Sequence, residues 1–150
     1  MTSQQTLTEA NKARLRRGFE EGMNQKKLDV FDELLAPNYV NYNMPAPAPG
    51  PAGFKQVMQM FLTAFPDMHI TIEDEFGEGE KIGTRGYFTG THQGEFMGIP
   101  ATNKPVKVAY IDLWRMENGL AVENWVQMDM LGMMQQLGVV PAPEQVSAGV

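Results

Sequence analysis

Asp112 is the residue whose setting most invites chemistry. It stands in VKVAYIDLWRM, residues 106–116, where Val106, Val108, Tyr110, Asp112, Trp114 and Met116 share one face of a strand by simple alternation. Lys107, Ala109, Ile111, Leu113 and Arg115 share the other. A carboxylate within an apolar, aromatic stripe is costly unless it is hydrogen-bonded or protonated, and burial raises its pKa. A raised carboxyl makes a useful general base near neutral pH. The same Asp can equally serve only to bind a Trp N–H or a backbone group.

The partner of Asp112 depends on the turn at Glu117-Asn118-Gly119, which joins this strand to residues 120–128. A two-residue Asn118-Gly119 turn sets Asp112 opposite Trp125. A three-residue turn with Gly119 left-handed sets it opposite Asn124, and Val122, Asn124, Val126 and Met128 then join its face. Asn124 would hydrogen-bond Asp112, with Arg115 and Glu123 meeting diagonally on the far face. This second register leaves fewer polar groups orphaned and is the one favoured.

Other chemistries find little support. There is no cysteine, hence no disulfide, thiol nucleophile or thiolate site. The two histidines, His69 and His92, lie far apart with no ligand spacing around them, so no metal site is expected. His92 shares strand parity with Ile82 and Phe88; it points either into a pocket or into its own loop. Net charge is −6, and the one basic cluster, Lys12, Arg14, Arg16 and Arg17, reads as a solvated helix face. No nucleic-acid partner is expected. No apolar run is long enough to span a bilayer, and the polar start of the chain does not resemble a secretory leader, so the expected compartment is the cytoplasm.

The elements that must position Asp112 follow from periodicity. Helices are predicted over residues 7–23, with Leu15, Phe19 and Met23 on one face, and over 28–35. A third runs from near Pro51 to just before Pro66, with Phe54, Val57, Met58, Phe61, Leu62 and Phe65 in register. Gly18 and Gly22 flank the first stripe, where they would allow close packing. Alternation then marks strands at 68–72 and 81–92, with EFGEGEK as a turn, and the hairpin of 105–116 and 120–128. Asp129 is a natural N-cap for the short helix MLGMMQQLG. Helices followed by an antiparallel sheet predict an α+β fold, one domain over residues 1–140 with a disordered tail at 141–150.

NYVNYNMP, FPDMHI, GTHQGEFMGIPATNK, IDLWRMENG and DMLGMMQQLG together resemble the SnoaL-like polyketide cyclase and ester cyclase family, within the nuclear-transport-factor-2-like superfamily. The resemblance spans residues 10 to 139. It implies a conical barrel, helices packed on a curved and mainly antiparallel sheet around an apolar pocket. It also implies ring closure by intramolecular aldol condensation with neither cofactor nor metal. Relatives often read E-H-W-D on the last strand, the final Asp being the acid/base. Here that run is Glu123-Asn124-Trp125-Val126, so Val126 holds the acid/base position. Asp112 matches a neighbouring pocket position, His92 the His before the Gly-Glu-Phe loop, and Asn41-Tyr42-Asn43 an acid–His–acid run.

The function expected is thus a cofactor-independent cyclase or isomerase acting on an apolar small molecule. Asp112 would be the base, Asn124 and His92 would orient or stabilise an oxyanion, and Tyr42 would be a second donor. Tyr42, Asn43, Tyr110, Trp114, Val126 and Met128 would contact substrate. The alternative is a non-catalytic small-molecule-binding module. A ketosteroid-isomerase-type site ranks lower, because the first helix carries no Tyr. The apolar face of Ile111, Leu113 and Trp125 predicts a homodimer. The loop Met44–Gly53, with proline at every second position from Pro45 to Pro51, favours extended geometry and would form a rim over the pocket, or else a plain insertion.

Overall fold

The computed structural model of the protein describes residues 2–141. The expected tail, Pro141 apart, lies outside the described residues.

Thr2 opens α1 (Ser3–Arg17) with a capping box shared with Gln5. The helix begins earlier than its apolar stripe suggested. From Gly18 to Asn24 it widens into a π-helical stretch, which keeps Phe19 and Met23 buried together. Gly18 and Gly22 do allow close packing: a Cβ at Gly18 would come within 2.5 Å of Leu34, and one at Gly22 within 2.6 Å of the Phe31 ring. Both partners belong to α2 (Val30–Leu34), a single turn wedged on the π segment. The basic cluster at the end of α1 meets internal partners. Arg14 donates to the Gly119 carbonyl at 2.8 Å, Arg16 pairs with Glu75, and Arg17 pairs with Glu21 and Glu33.

β1 (Leu35–Asn41) was not foreseen. Pro37 argues against a central strand, and β1 is an edge strand, where a missing N–H is tolerated. α3 (Gly50–Ala64) carries Pro51 within its first turn and buries Phe54, Val57, Met58 and Phe61, as its spacing predicted. Five strands then form one open sheet in the order β1-β5-β4-β3-β2, antiparallel except where β1 runs parallel to β5. They are β2 (His69–Glu78), β3 (Lys81–Thr91), β4 (Pro105–Glu117) and β5 (Leu120–Met128) with β1. β2 takes in the Glu75-Phe76-Gly77-Glu78 stretch predicted as turn; the reversal needs only Gly79-Glu80 between Glu78 and Lys81. The fold is α+β, with the helices against the inner face of the sheet.

The β4–β5 hairpin departs from both registers. Asn118 and Gly119 both have positive φ, the signature of a two-residue turn, so Glu117 faces Leu120 and Met116 faces Ala121. One extra residue, Val122, then bulges from β5, and Arg115 faces Glu123. Asp112 consequently lies opposite Val126, neither Asn124 nor Trp125. The slip restores the predicted face, because Asn124, Val126 and Met128 do lie on the Asp112 side. Arg115 and Glu123 meet directly, as an ion pair on the outer face.

Asp129 caps α4 (Met130–Leu137) through the Gly132 N–H at 2.8 Å. Beyond Met128, β4 has no β5 partner, and the Gln136 amide fills the gap. It accepts from the Lys107 N–H at 2.7 Å and donates to the Lys107 carbonyl at 2.9 Å. No helix among the described residues is long and apolar enough to cross a membrane.

Candidate active site

The inner face of the sheet, the π segment and α3 enclose a small cavity of about 60 Å³, room for a few water molecules. Its wall is almost wholly apolar: Phe19 and Met23 from the π segment, Phe54, Met58 and Phe61 from α3, Phe88 from β3. The polar atoms come from β4 and β5 and the end of β1. Alternation along β4 sends Tyr110, Asp112 and Trp114 inward, and β5 adds Asn124, Val126 and Met128. Six of the expected site residues are thereby gathered in one place.

Asp112 is 5% exposed. Burial drives its pKa up to about 6, and hydrogen bonding from Thr84 limits the rise. Thr84, its cross-strand neighbour on β3, donates Oγ1–H to Asp112 Oδ1 at 2.6 Å. A hydroxyl has one proton, so while Asp112 is ionised the Tyr110 hydroxyl, 3.1 Å from Thr84 Oγ1, is the donor of that pair. The result is a directed chain, Tyr110 to Thr84 to Asp112. Burial also pushes the Tyr110 phenol up to about 12, so Tyr110 stays protonated. The Trp114 indole N–H helps to hold the carboxyl down but finds no hydrogen bond of good geometry. It is a buried donor lining the cavity without a partner.

Glu75, next along the same row of paired residues, is a second buried carboxyl. Burial raises its pKa, Arg16 on α1 opposes the rise, and its charge adds slightly to that of Asp112. Glu75 does not line the cavity.

Asn124 does not bond Asp112. Its Oδ1 accepts from the Tyr39 hydroxyl at 3.3 Å and from Asn41 Nδ2 at 3.1 Å, and its Nδ2 donates to the Leu113 carbonyl at 3.0 Å. Two donors on the oxygen and a carbonyl on the nitrogen fix which way the amide points. One N–H of Nδ2 is left over. Burial raises the Tyr39 pKa, so that hydroxyl too keeps its proton.

Three expected site residues lie elsewhere. Tyr42 is 54% exposed on the outer face, stacked on Trp125 at 5.2 Å between ring centres, with its hydroxyl on Glu123 at 2.6 Å. Asn43 Oδ1 accepts from the Val126 N–H at 3.0 Å, extending the β1–β5 ladder with a side chain. Asn41, the first of that run, turns inward instead. His92 is buried away from the cavity beside Phe65, where its Nδ1 accepts from the Thr102 N–H at 3.2 Å. His92 acts as a pin for the loop after β3, its backbone also pairing with Asn103 and Lys104. Thr84 was missed, although its inward parity with Ile82 and Phe88 was available. Tyr39 was missed with β1 itself. Among the described residues no cluster of three His, Asp or Glu side chains stands ready to hold a metal ion.

A second chamber, about 360 Å³, adjoins the first. Its walls are the Met44–Gly50 loop, Tyr39 and Val40 from β1, and Phe54 and Val57 from α3; Asn41, Met44 and Phe54 border both chambers. The loop folds back on α3, for a Cβ at Gly53 would strike the Ala48 carbonyl.

A helix-lined, open, mostly antiparallel sheet carrying one buried carboxylate at its centre defines the class of protein. The model of the SnoaL-like polyketide cyclase family matches residues 13–137, and the chain belongs to that family. TsrD from Streptomyces laurentii shares 30% identity at a TM-score of 0.81, over 87% of this chain and 97% of its own. IdmH from Streptomyces antibioticus, named as a candidate polyketide cyclase, shares 31% at 0.75, over 85% and 98%. AclR from Streptomyces galilaeus, named as a candidate hydroxylase, shares 26% at 0.81, over 92% and 87%. No curated protein matches the chain in sequence.

Proposed function

We propose that the protein is a cofactor-independent acid/base enzyme that closes a ring, or shifts a double bond, in an apolar carbonyl compound, with Asp112 as its base. One observation carries this reading: the sole carboxylate lining the cavity is buried, hydrogen-bonded on one oxygen by Thr84, and poised to ionise near pH 6. In the aldol form, Asp112 takes the proton alpha to a carbonyl. The enolate oxygen is met by the spare Asn124 N–H and the unpartnered Trp114 N–H. The enolate carbon bonds to a second carbonyl of the same molecule, and Asp112 returns its proton to the new alkoxide. Nothing is gained or lost overall.

Acetonylacetone is a compact probe: its intramolecular aldol addition gives 3-hydroxy-3-methylcyclopentanone, which then loses water to give 3-methylcyclopentenone, the product that is read. Enone formation should be accelerated by the wild type, with a rate that rises through about pH 6 as Asp112 ionises. Asp112→Asn should lose that acceleration by about a hundredfold or more, the usual scale of a general base. Acceleration surviving in Asp112→Asn would remove Asp112 from the chemistry.

One observation favours a second reading. Val126, opposite Asp112 across the β4–β5 ladder, stands where the resemblance places the family's acid/base Asp, so the cavity has no second carboxylate. A binding module would retain ligand and accelerate nothing at any pH. Under either reading we also propose a homodimer, closed through the outer sheet face around Ile111, Leu113 and Trp125.

A further inference from the structure

The inner cavity is too small for a ligand of ordinary size, since small-molecule sites run to several hundred Å³. The volume that is lacking lies next door. The loop chamber is about 360 Å³ and shares Asn41, Met44 and Phe54 with the Asp112 cavity. Its wall carries no side chain charged at neutral pH: alanine, proline, valine, methionine and phenylalanine dominate, and the Tyr39 hydroxyl is turned to Asn124. Asn41, the other polar side chain in it, is likewise turned to Asn124.

We infer that this chamber is a second subsite, which takes the neutral, apolar tail of a ligand whose carbonyl-bearing end sits at Asp112. The natural ligand is then elongated and uncharged along its tail, and the chambers together read its length. The inference rests on the reading of Asp112 as the reactive-end site. Met44, half-buried between the chambers, is the flexible partition the tail must displace. The proline-rich loop supplies the fixed wall. It bends through residues 47–49 rather than running extended, and its alternating prolines and fold-back on Gly53 leave it little freedom to collapse into the chamber.

The experiment is a chain-length series: acetophenone, butyrophenone and hexanophenone, each titrated by quenching of Trp114 fluorescence in a Trp125→Phe background. With the wild-type loop, affinity should rise about threefold for each added methylene, the scale of burying one CH₂. Ala48→Phe, which fills the chamber from the loop side, should leave acetophenone binding unchanged and flatten the rise for the longer ketones. Should that variant melt early, Ala46→Phe at the loop's exposed side makes the same test. A rise that persists in a folded, chamber-filled variant, or no rise with the wild-type loop, overturns the subsite. Asp112→Asn separates this from the catalytic reading. If the rise persists in it and acetonylacetone is cyclised by neither protein, the subsite stands and the base does not.

Discussion

An unfolded Asp gives up its proton near 3.8, whereas folded Asp112 keeps its proton up to about 6. Between those values the native state holds the extra proton, so stability falls as pH rises through that window and stays at the lower level above it. The carboxylate is thus a cost above pH 6, of up to about 3 kcal/mol by the size of the shift. Asp112→Asn should melt a few degrees above the wild type at pH 8 and level with it at pH 4; equal melting at both would contradict the burial argument. Removing the Thr84 hydroxyl acts the other way on ionisation. Thr84→Val should move the midpoint of the activity profile to higher pH, while Thr84→Ser restores it, and an unmoved midpoint would make Thr84 merely structural. Asp112 was legible in the sequence because a polar residue interrupts a period-two apolar stripe. Thr84 is legible only once β3 and β4 are paired, and pairing is a long-range fact that periodicity does not contain.

Among the elements, those with a full local signal read correctly: α3 from its apolar stripe and prolines, β4 from its alternation, α4 from Asp129. Where two local signals conflict, tertiary context decides. β1 carries Pro37 yet pairs at an edge, and the glycine-rich end of β2 stays extended because Lys81 and Ile82 return alongside it. Tyr42 and Asn43 were misplaced for a related reason. Tyr42 follows Asn41 and so points to the opposite face, whereas Asn43, past the end of β1, spends its side chain on the Val126 N–H. The π segment explains Gly22, whose missing Cβ leaves room for Phe31. Gly22→Ala should cost about 1–3 kcal/mol through overpacking, although alanine favours helix. A melting temperature at or above the wild type's would show that α2 can step aside.

At the scale of the whole molecule, the two faces of the sheet have separate employment. Ile111 is 60% exposed, and with half-buried Leu113 and Trp125 it forms an apolar outer patch. Light scattering should report twice the 16.7 kDa chain mass at micromolar concentration, and Ile111→Glu should halve it; a wild-type monomer would refute the dimer. The family resemblance anticipated the α+β plan but not where the usable volume lies, since that depends on how the Met44–Gly50 loop folds against α3. One consequence follows from the alternation of β4 and β5. Asp112 and Trp114 face the cavity while Leu113 between them faces outward, and Asn124 and Val126 likewise bracket Trp125. The cavity wall and the outer face through which we propose the dimer closes are therefore the two sides of the same strands, a single peptide thick. In such a dimer any effect of ligand on subunit affinity must be matched by an equal effect of assembly on ligand affinity.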